Sequence, residues 1–247
     1  MSRLRVIAGP NGSGKSSIFQ LIRDFKENSK KIQTGPFVNS DFIERTFRED
    51  GFVRLSDYQI TAPSSRIIDE YLEISTLQDP YDPRVIKNLV VLEDGCLKAL
   101  GKDSTPLLGM VVSDLIREEL LKREISFTME SVFSHIDKVN FMQRAKDSGF
   151  KVYLYFVSTE SPAINIKRVA GRVAAGGHDV PTDKILTRYE RTMRNLEPAL
   201  KVAYRAYIFD NSGNETIKIA EKDNEGNLFL EERVPQWLLT FLGDWVN

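Results

Sequence analysis

The sequence predicts an α/β fold, a mostly parallel sheet flanked by helices, and three observations carry that reading. The apolar, β-branched run Leu4 to Ala8 stops at Gly9-Pro10, the pattern of a short buried strand ended by a turn. From Lys15 onward Ile18, Leu21, Ile22 and Phe25 recur at helical spacing. Farther along, Ile125 to Glu130 alternates, Val139 to Gly149 has a helical period, and Lys151 to Val157 reads as strand again. Strand, helix and strand in succession call for a parallel crossover.

The other elements follow in chain order. The polar run Glu27 to Lys31 closes the first helix, and Gly35 to Asp41 is a very short second strand with the polar end Asn39 and Asp41. Phe42, Ile43 and Phe47 suggest a short helix after it. Phe52 to Arg123 reads as mostly helical, with Ile67, Ile68, Tyr71 and Leu72, then Val85, Leu89 and Leu92 at helical intervals, broken by Asp79-Pro80-Tyr81-Asp82-Pro83. The run Leu89 to Asp94 is assigned to helix, which makes residues 50–124 a helical insertion. Ile164 to Val173 forms a basic helix, a charged helix starts at Thr182, Ala206 to Phe209 is a strand, and two short strands and a helix from Pro235 complete the chain. At 247 residues the expected organisation is a single domain over 1–247, with a lid at 168–194 and a β-plus-helix tail at 214–247.

Composition removes whole classes of function. With 41% hydrophobic and 10% aromatic residues the chain can bury a sizeable core, so whole-chain disorder is excluded. Its 34 Lys and Arg against 35 Asp and Glu leave a net charge of −1, which supplies no global field for nucleic acid. No apolar stretch approaches the ~20 residues of a bilayer span. Met1 to Ile7 leads straight into a glycine loop, so neither a membrane association nor a secretory signal is expected. Cys96 is the lone cysteine; it cannot close an intrachain disulfide or anchor a thiolate zinc cage, and a cytoplasmic location is expected.

The strongest chemical signal is Gly9-Pro10-Asn11-Gly12-Ser13-Gly14-Lys15-Ser16, followed by Ser17, which matches GxxxxGK[ST] between a strand and a helix. In such a P-loop, backbone N–H groups turn inward around phosphates and the helix N-terminus adds partial positive charge. Lys15 would reach the β- and γ-phosphates and Ser16 would ligate magnesium. An NKxD base-recognition motif is absent, which weakens a GTPase reading, and no LSGGQ-like signature supports an ABC-type ATPase. A small-molecule kinase needs a carboxylate for the acceptor proton and arginines for the transferring phosphoryl charge. Asp41 is a candidate for the first; the alternative is an ordinary helix N-cap supplied by Ser40 or Asp41. Glu130, at its own strand end, would hold magnesium through water or bind acceptor hydroxyls, or else is a solvated terminus. Arg168 and Arg172 share one helix face, as do Arg188 and Arg191, around the possible hinge Gly176-Gly177. Solvated helix faces are the alternative there. His178 offers a lid hydrogen bond, and Tyr189, Tyr204 and Tyr207 read as packing rather than a base-stacking platform.

The P-loop, then Val38-Asn-Ser-Asp41, Thr128-Met-Glu130-Ser, Arg172 through Gly-Gly-His-Asp-Val-Pro181, and Arg188-Tyr-Glu-Arg191 with Asn195-Leu together resemble the zeta-toxin family of P-loop kinases. The resemblance spans roughly residues 3–48 and 125–213. It implies phosphorylation of a hydroxyl that depends on ATP and magnesium, with UDP-N-acetylglucosamine the best-known acceptor, and an antitoxin partner in some members. Carried over by position, Lys15 and Ser16 would bind ATP and magnesium, and Asp41 would be the acceptor base. Glu130 would hold the acceptor, and Arg172 with a second lid arginine, Arg168 or Arg191, would neutralise phosphate charge. The rival expectation is a nucleotide-dependent ATPase or binding module acting on a protein partner.

Overall fold

The structure is a computed structural model that describes residues 1–27, 30–75, 82–101, 106–177, 179–242 and 245. His178, Asn28 and Ser29 of the expected first-helix stop, and Asp79 to Tyr81 of the expected proline break lie outside the described residues. The chain runs through β1 (Arg3–Ala8), α1 (Lys15–Asp24), β2 (Lys26–Glu27), β3 (Lys30–Lys31), β4 (Phe37–Val38), α2 (Ser40–Asp50) and β5 (Phe52–Arg54). Next come α3 (Ile67–Ile74), β6 (Val90–Glu93), β7 (Cys96–Ala99), α4 (Pro106–Lys122), β8 (Phe127–Ser131), α5 (Asp137–Asp147) and β9 (Lys151–Ser158). The rest is α6 (Pro162–Ala174), α7 (Thr182–Arg194), α8 (Leu196–Val202), β10 (Arg205–Asp210), β11 (Ile217–Lys222), β12 (Leu228–Leu230) and α9 (Gln236–Leu242). Short 3-10 turns occupy Leu55–Tyr58 and Pro83–Asn88. The mixed α/β class with mainly parallel strands and flanking helices is as expected.

Contacts divide the chain into two compact units, one of Arg3–Thr34 with Glu130–Asn247, the other of Gly35–Met129. In the first, β9 lies between β1 and β10 and is parallel to both, with Ala8 beside Phe156 and Asp210 beside Ser158. Antiparallel β11 and then β12 extend the β10 side. Parallel strands joined by helical crossovers have both faces covered, and the residues on the two faces show it. Leu4, Val6, Leu154, Phe156, Ala206 and Ile208 fill one side. Ile7, Tyr155 and Val157 on the other pack against Ile18 and Ile22 of α1. Tyr207 stacks on Tyr155 at 5.2 Å and Tyr204 meets Tyr153 edge-on at 5.7 Å, so these tyrosines serve packing, as expected.

The second unit pairs β4 with β8 in parallel and sets β5, β7 and β6 in a separate antiparallel sheet. The run Leu89 to Asp94, expected as helix, is corrected here to the strand β6. Its spacing at Val85, Leu89 and Leu92 arises from a 3-10 turn followed by a strand. Asp94 and Gly95 adopt φ of 49° and 73°, and two successive positive φ values close a two-residue hairpin whose twist suits the flanking strands. Such a turn fixes β6 and β7 locally, overriding the weak helical period. The segment expected as a helical insertion therefore carries helices together with this small sheet.

Helix α4 is buried on nearly every side, with Asp114, Arg117, Glu118 and Glu119 among the buried residues. Arg117 and Asp114 form an ion pair at 2.5 Å, and Tyr71 donates its hydroxyl to Asp114 at 3.1 Å. Burial, then the Asp114 charge, pushes the Tyr71 phenol up. Pairing within the helix offsets the desolvation that isolated buried charges would suffer. Gly109 of α4 meets α2 so closely that a Cβ there would lie 2.4 Å from the Ser40 carbonyl oxygen and 2.7 Å from Glu44 Cβ. Gly109→Ala is expected to lower stability by about 1–3 kcal/mol through this overpacking, read as a shifted urea midpoint. An unchanged midpoint would mean that α2 moves aside at no cost.

Candidate functional site

The glycine loop leaves the carboxyl end of β1 and enters α1 at Lys15. A Cβ on Gly9 would sit 2.1 Å from the Val157 carbonyl oxygen, so only glycine lets the loop run this close to β9. Gly14 has φ 99°, and a Cβ there would meet Asn211 Nδ2 at 2.3 Å. Its carbonyl accepts from the N–H groups of Ser17 and Ile18 at 3.0 and 3.2 Å, starting α1. Lys15 is buried and donates through Nζ to the Pro10 carbonyl at 2.9 Å. Ser16 and Ser17 are exposed in the first turn.

Two asparagines hold the loop from outside its own sequence. Asn211, just past β10, donates from Nδ2 to the Ser13 carbonyl at 2.8 Å, while its backbone N–H donates to Ser158 and its Oδ1 accepts from Thr216. Asn165, fully buried in α6, donates to the Asn11 carbonyl at 2.5 Å, and its Oδ1 accepts from the Thr159 hydroxyl. Sequence reasoning missed both. The available signal was Asn211 directly behind the strand Ala206 to Phe209, within Asp210-Asn-Ser-Gly213. The Ser13 hydroxyl and the Asn11 Oδ1 are buried without a hydrogen-bond partner, so the loop's own polar atoms are not all used by its scaffold.

The expected lid is a hairpin of α6 and α7 with a small apolar core of Val169, Val180 and Ile185. Gly176 at φ 83° ends α6, and the Gly177 N–H donates to the Arg172 carbonyl at 2.9 Å, so the glycine pair forms a helix terminus. Arg172 lies exposed at that terminus. Arg168 donates from Nη2 to the Gly213 carbonyl at 3.1 Å, and its buried Nη1 has no partner. Arg191 is exposed, Arg188 is half-buried, and Arg194 is paired with Glu190 at 2.5 Å. Arg168 thus sits beside the loop's support at 211–213, while Arg172 is in the last turn of α6, Arg188 in the middle of α7 and Arg191 in the last turn of α7.

Asp41 belongs to the second unit, exposed in the first turn of α2 immediately behind β4. The N-cap there is Asn39, whose side chain accepts from the Phe42 N–H at 2.9 Å, so the alternative reading of Ser40 or Asp41 as the cap does not hold. Extended backbone at Asn39, φ −138°, puts its Oδ1 within reach of that N–H, and the Asp41 carboxylate has no capping duty. Glu130 is half-buried near the carboxyl end of β8. Among the described residues no group of three or more His, Cys, Asp or Glu could hold a metal, so a cation here would rest on Ser16 and a bound phosphate. The narrow glycine path and the Ser16 hydroxyl beside it fit such a pairing.

The fold and this loop define an α/β P-loop protein. A family model described as zeta toxin matches residues 109–225, which bears out the resemblance over Thr128 to Ser131 and the lid motifs; the P-loop and Val38 to Asp41 lie outside the match. An uncharacterised protein of Haemophilus influenzae is 36% identical over 69 residues, 28% of this chain and 49% of that protein. Among solved structures, the native AvrRxo1-ORF1:-ORF2 complex matches with TM-score 0.60 and 13% identity, covering 98% of this chain and 64% of that one. The AvrRxo1-ORF1:-ORF2 structure with ATP matches at 0.57 and 13%, covering 94% and 61%. These likenesses show the fold, and the chain spans half to two thirds of the relatives' lengths. No helix among the described residues is long and apolar enough to cross a membrane.

Burial pushes the phenols of Tyr58, Tyr155 and Tyr189 up from 10.0 to about 12, and Tyr189 donates its hydroxyl to the Thr159 carbonyl at 2.6 Å. The unfolded chain ionises these groups first, so their stabilisation is complete below pH 10 and is lost as pH rises towards about 12. The urea midpoint should therefore fall between pH 9 and 11, and fall less steeply in Tyr189→Phe. Equal slopes in the two proteins would contradict the assignment for Tyr189.

Proposed function

We propose that this chain is an ATP- and magnesium-dependent kinase that transfers the γ-phosphate to a hydroxyl of a small molecule. The observation that carries the reading is the glycine loop, held against β9 at Gly9 and tied through Asn11 and Ser13 to Asn165 and Asn211, with Lys15 at the mouth of α1. A loop supported on both sides keeps its N–H groups in place without reorganising when charge develops. The zeta-toxin match and the neighbouring AvrRxo1 complex with ATP support the same reading. Zeta-toxin resemblance makes a UDP-N-acetyl sugar the first acceptor to try and an antitoxin protein the first partner.

In this reading Gly9, Pro10, Asn11, Gly12, Ser13 and Gly14 cradle the phosphates, and Lys15 exchanges the Pro10 carbonyl for phosphate oxygen. Ser16 would hold magnesium, which when bound would supply positive charge to the phosphates. Arg172, with Arg168 or Arg191, offsets the charge of the phosphoryl group in flight. Asp41 orients the acceptor hydroxyl and takes its proton; Glu130 positions the acceptor. The separation of Asp41 from helix capping supports that role, because its oxygens stay available to a substrate.

The test is mass spectrometry of a metabolite extract, UDP-sugars included, incubated with the protein, ATP and magnesium. A product heavier by one phosphate is expected, absent with Lys15→Ala. Asp41→Asn should cut transfer by about 100-fold or more while ATP still binds. ADP and free phosphate without any phosphorylated product would instead mark an ATPase, and near-normal transfer by Asp41→Asn would remove that residue from the role of base.

A further inference from the structure

The first unit has a second concave site, at the end of its sheet opposite the glycine loop. The loop lies beyond Ala8 and Ser158, where β1 and β9 finish. A cavity of about 400 Å³ lies where β9 begins at Val152, just before β10 at Tyr204, and where β11 finishes at Lys222. Three lysines line it, Lys146 from the last turn of α5, Lys201 from α8 and Lys222, against Glu225 as the one acid among the described residues of the lining.

Lys222 is only 6% exposed, and among the described residues its ammonium hydrogen-bonds to carbonyl groups rather than to a carboxylate: Nζ donates to Ala203 at 2.8 Å and to Asp223 at 3.4 Å. The adjacent Asp223 carboxylate is spent on its own turn, accepting from the N–H groups of Glu225, Gly226 and Asn227 at 2.9 Å each. Lys146 is exposed and has no carboxylate partner among the described residues, and Lys201 shares its charge with Glu197 at 2.6 Å. Burial lowers the Lys222 pKa; the nearby Asp223 charge opposes this and the Lys146 charge adds to it. Like charges gathered around a partly desolvated hollow are stabilised by an incoming anion. Phe150 and Tyr204 line the same hollow and give it an apolar wall.

We propose that this cavity is a second ligand site, separate from the glycine loop, that takes a small organic acid: an anionic headgroup among Lys146, Lys201 and Lys222, and an aromatic or aliphatic body against Phe150 and Tyr204. The proposal does not rest on the kinase reading. The probe is anilinonaphthalene sulfonate, an aromatic sulfonate whose fluorescence rises in an apolar site, titrated into the full chain beside its neutral relative N-phenylnaphthylamine. Saturable single-site binding of the sulfonate is expected, weakened roughly tenfold by Lys146→Glu, an exposed position that spares the fold, and unchanged by Lys15→Ala. The neutral dye should bind roughly tenfold more weakly or not at all. Equal binding by parent and Lys146→Glu, weakening by Lys15→Ala, equal affinity for the neutral dye, or no saturable binding would each overturn the proposal.

Discussion

The first unit depends on the approach of the glycine loop to the end of β9. With the Val157 carbonyl oxygen 2.1 Å from where a Gly9 Cβ would stand, β1 can turn sharply into α1 only along this path. The next residue of β9, Ser158, accepts from the Asn211 N–H, and Asn211 in turn holds the Ser13 carbonyl. Strand end, loop and the segment after β10 are thereby tied into one hydrogen-bonded set. Asn165 of α6 closes it from another side. Buried polar sets of this kind are rigid because each partner lost would leave a desolvated group unsatisfied.

Two consequences run outward from that set. Helix α6 is anchored at Asn165 near its start and packs Val169 against the α7 side, so motion of the hairpin would be concentrated toward Arg172 and the glycine terminus. Tyr189 ties α7 back to the Thr159 carbonyl, and the Thr159 hydroxyl is itself bonded to Asn165. The helices that carry Arg172, Arg188 and Arg191 are thus coupled to the loop at their base. In the second unit, α4 buries the Asp114–Arg117 pair, and the close passage of Gly109 along α2 sets where the first turn containing Asp41 stands within that unit.

Much of this was legible beforehand for a local reason. β1 and β9, buried on both faces, read as apolar runs, the buried face of α1 recurs at helical spacing, and the P-loop glycines answer to backbone conformations that few other residues adopt. The hairpin of β6 and β7 was less legible because only four residues lie in each strand and a 3-10 turn just ahead extends an accidental helical spacing. Its Asp94-Gly95 turn was the better signal. The cap at Asn39 was misjudged by one or two residues because Asn39, Ser40 and Asp41 all have capping side chains, and only the backbone decides which one is extended.

By itself the sequence determined the α/β class, the glycine loop with Lys15 and Ser16, and the candidates Asp41, Glu130 and the lid arginines, since each is written in local spacing and residue type. Tertiary structure alone decided what holds the loop, because Asn165 and Asn211 lie 154 and 198 residues from the carbonyls they bind. It alone also gathered Lys146, Lys201 and Lys222 around one hollow, since three strand and helix ends distant along the chain meet only when the sheet stacks them. Contacts between remote residues leave no periodic trace, and the packing of strands is what brings them into range.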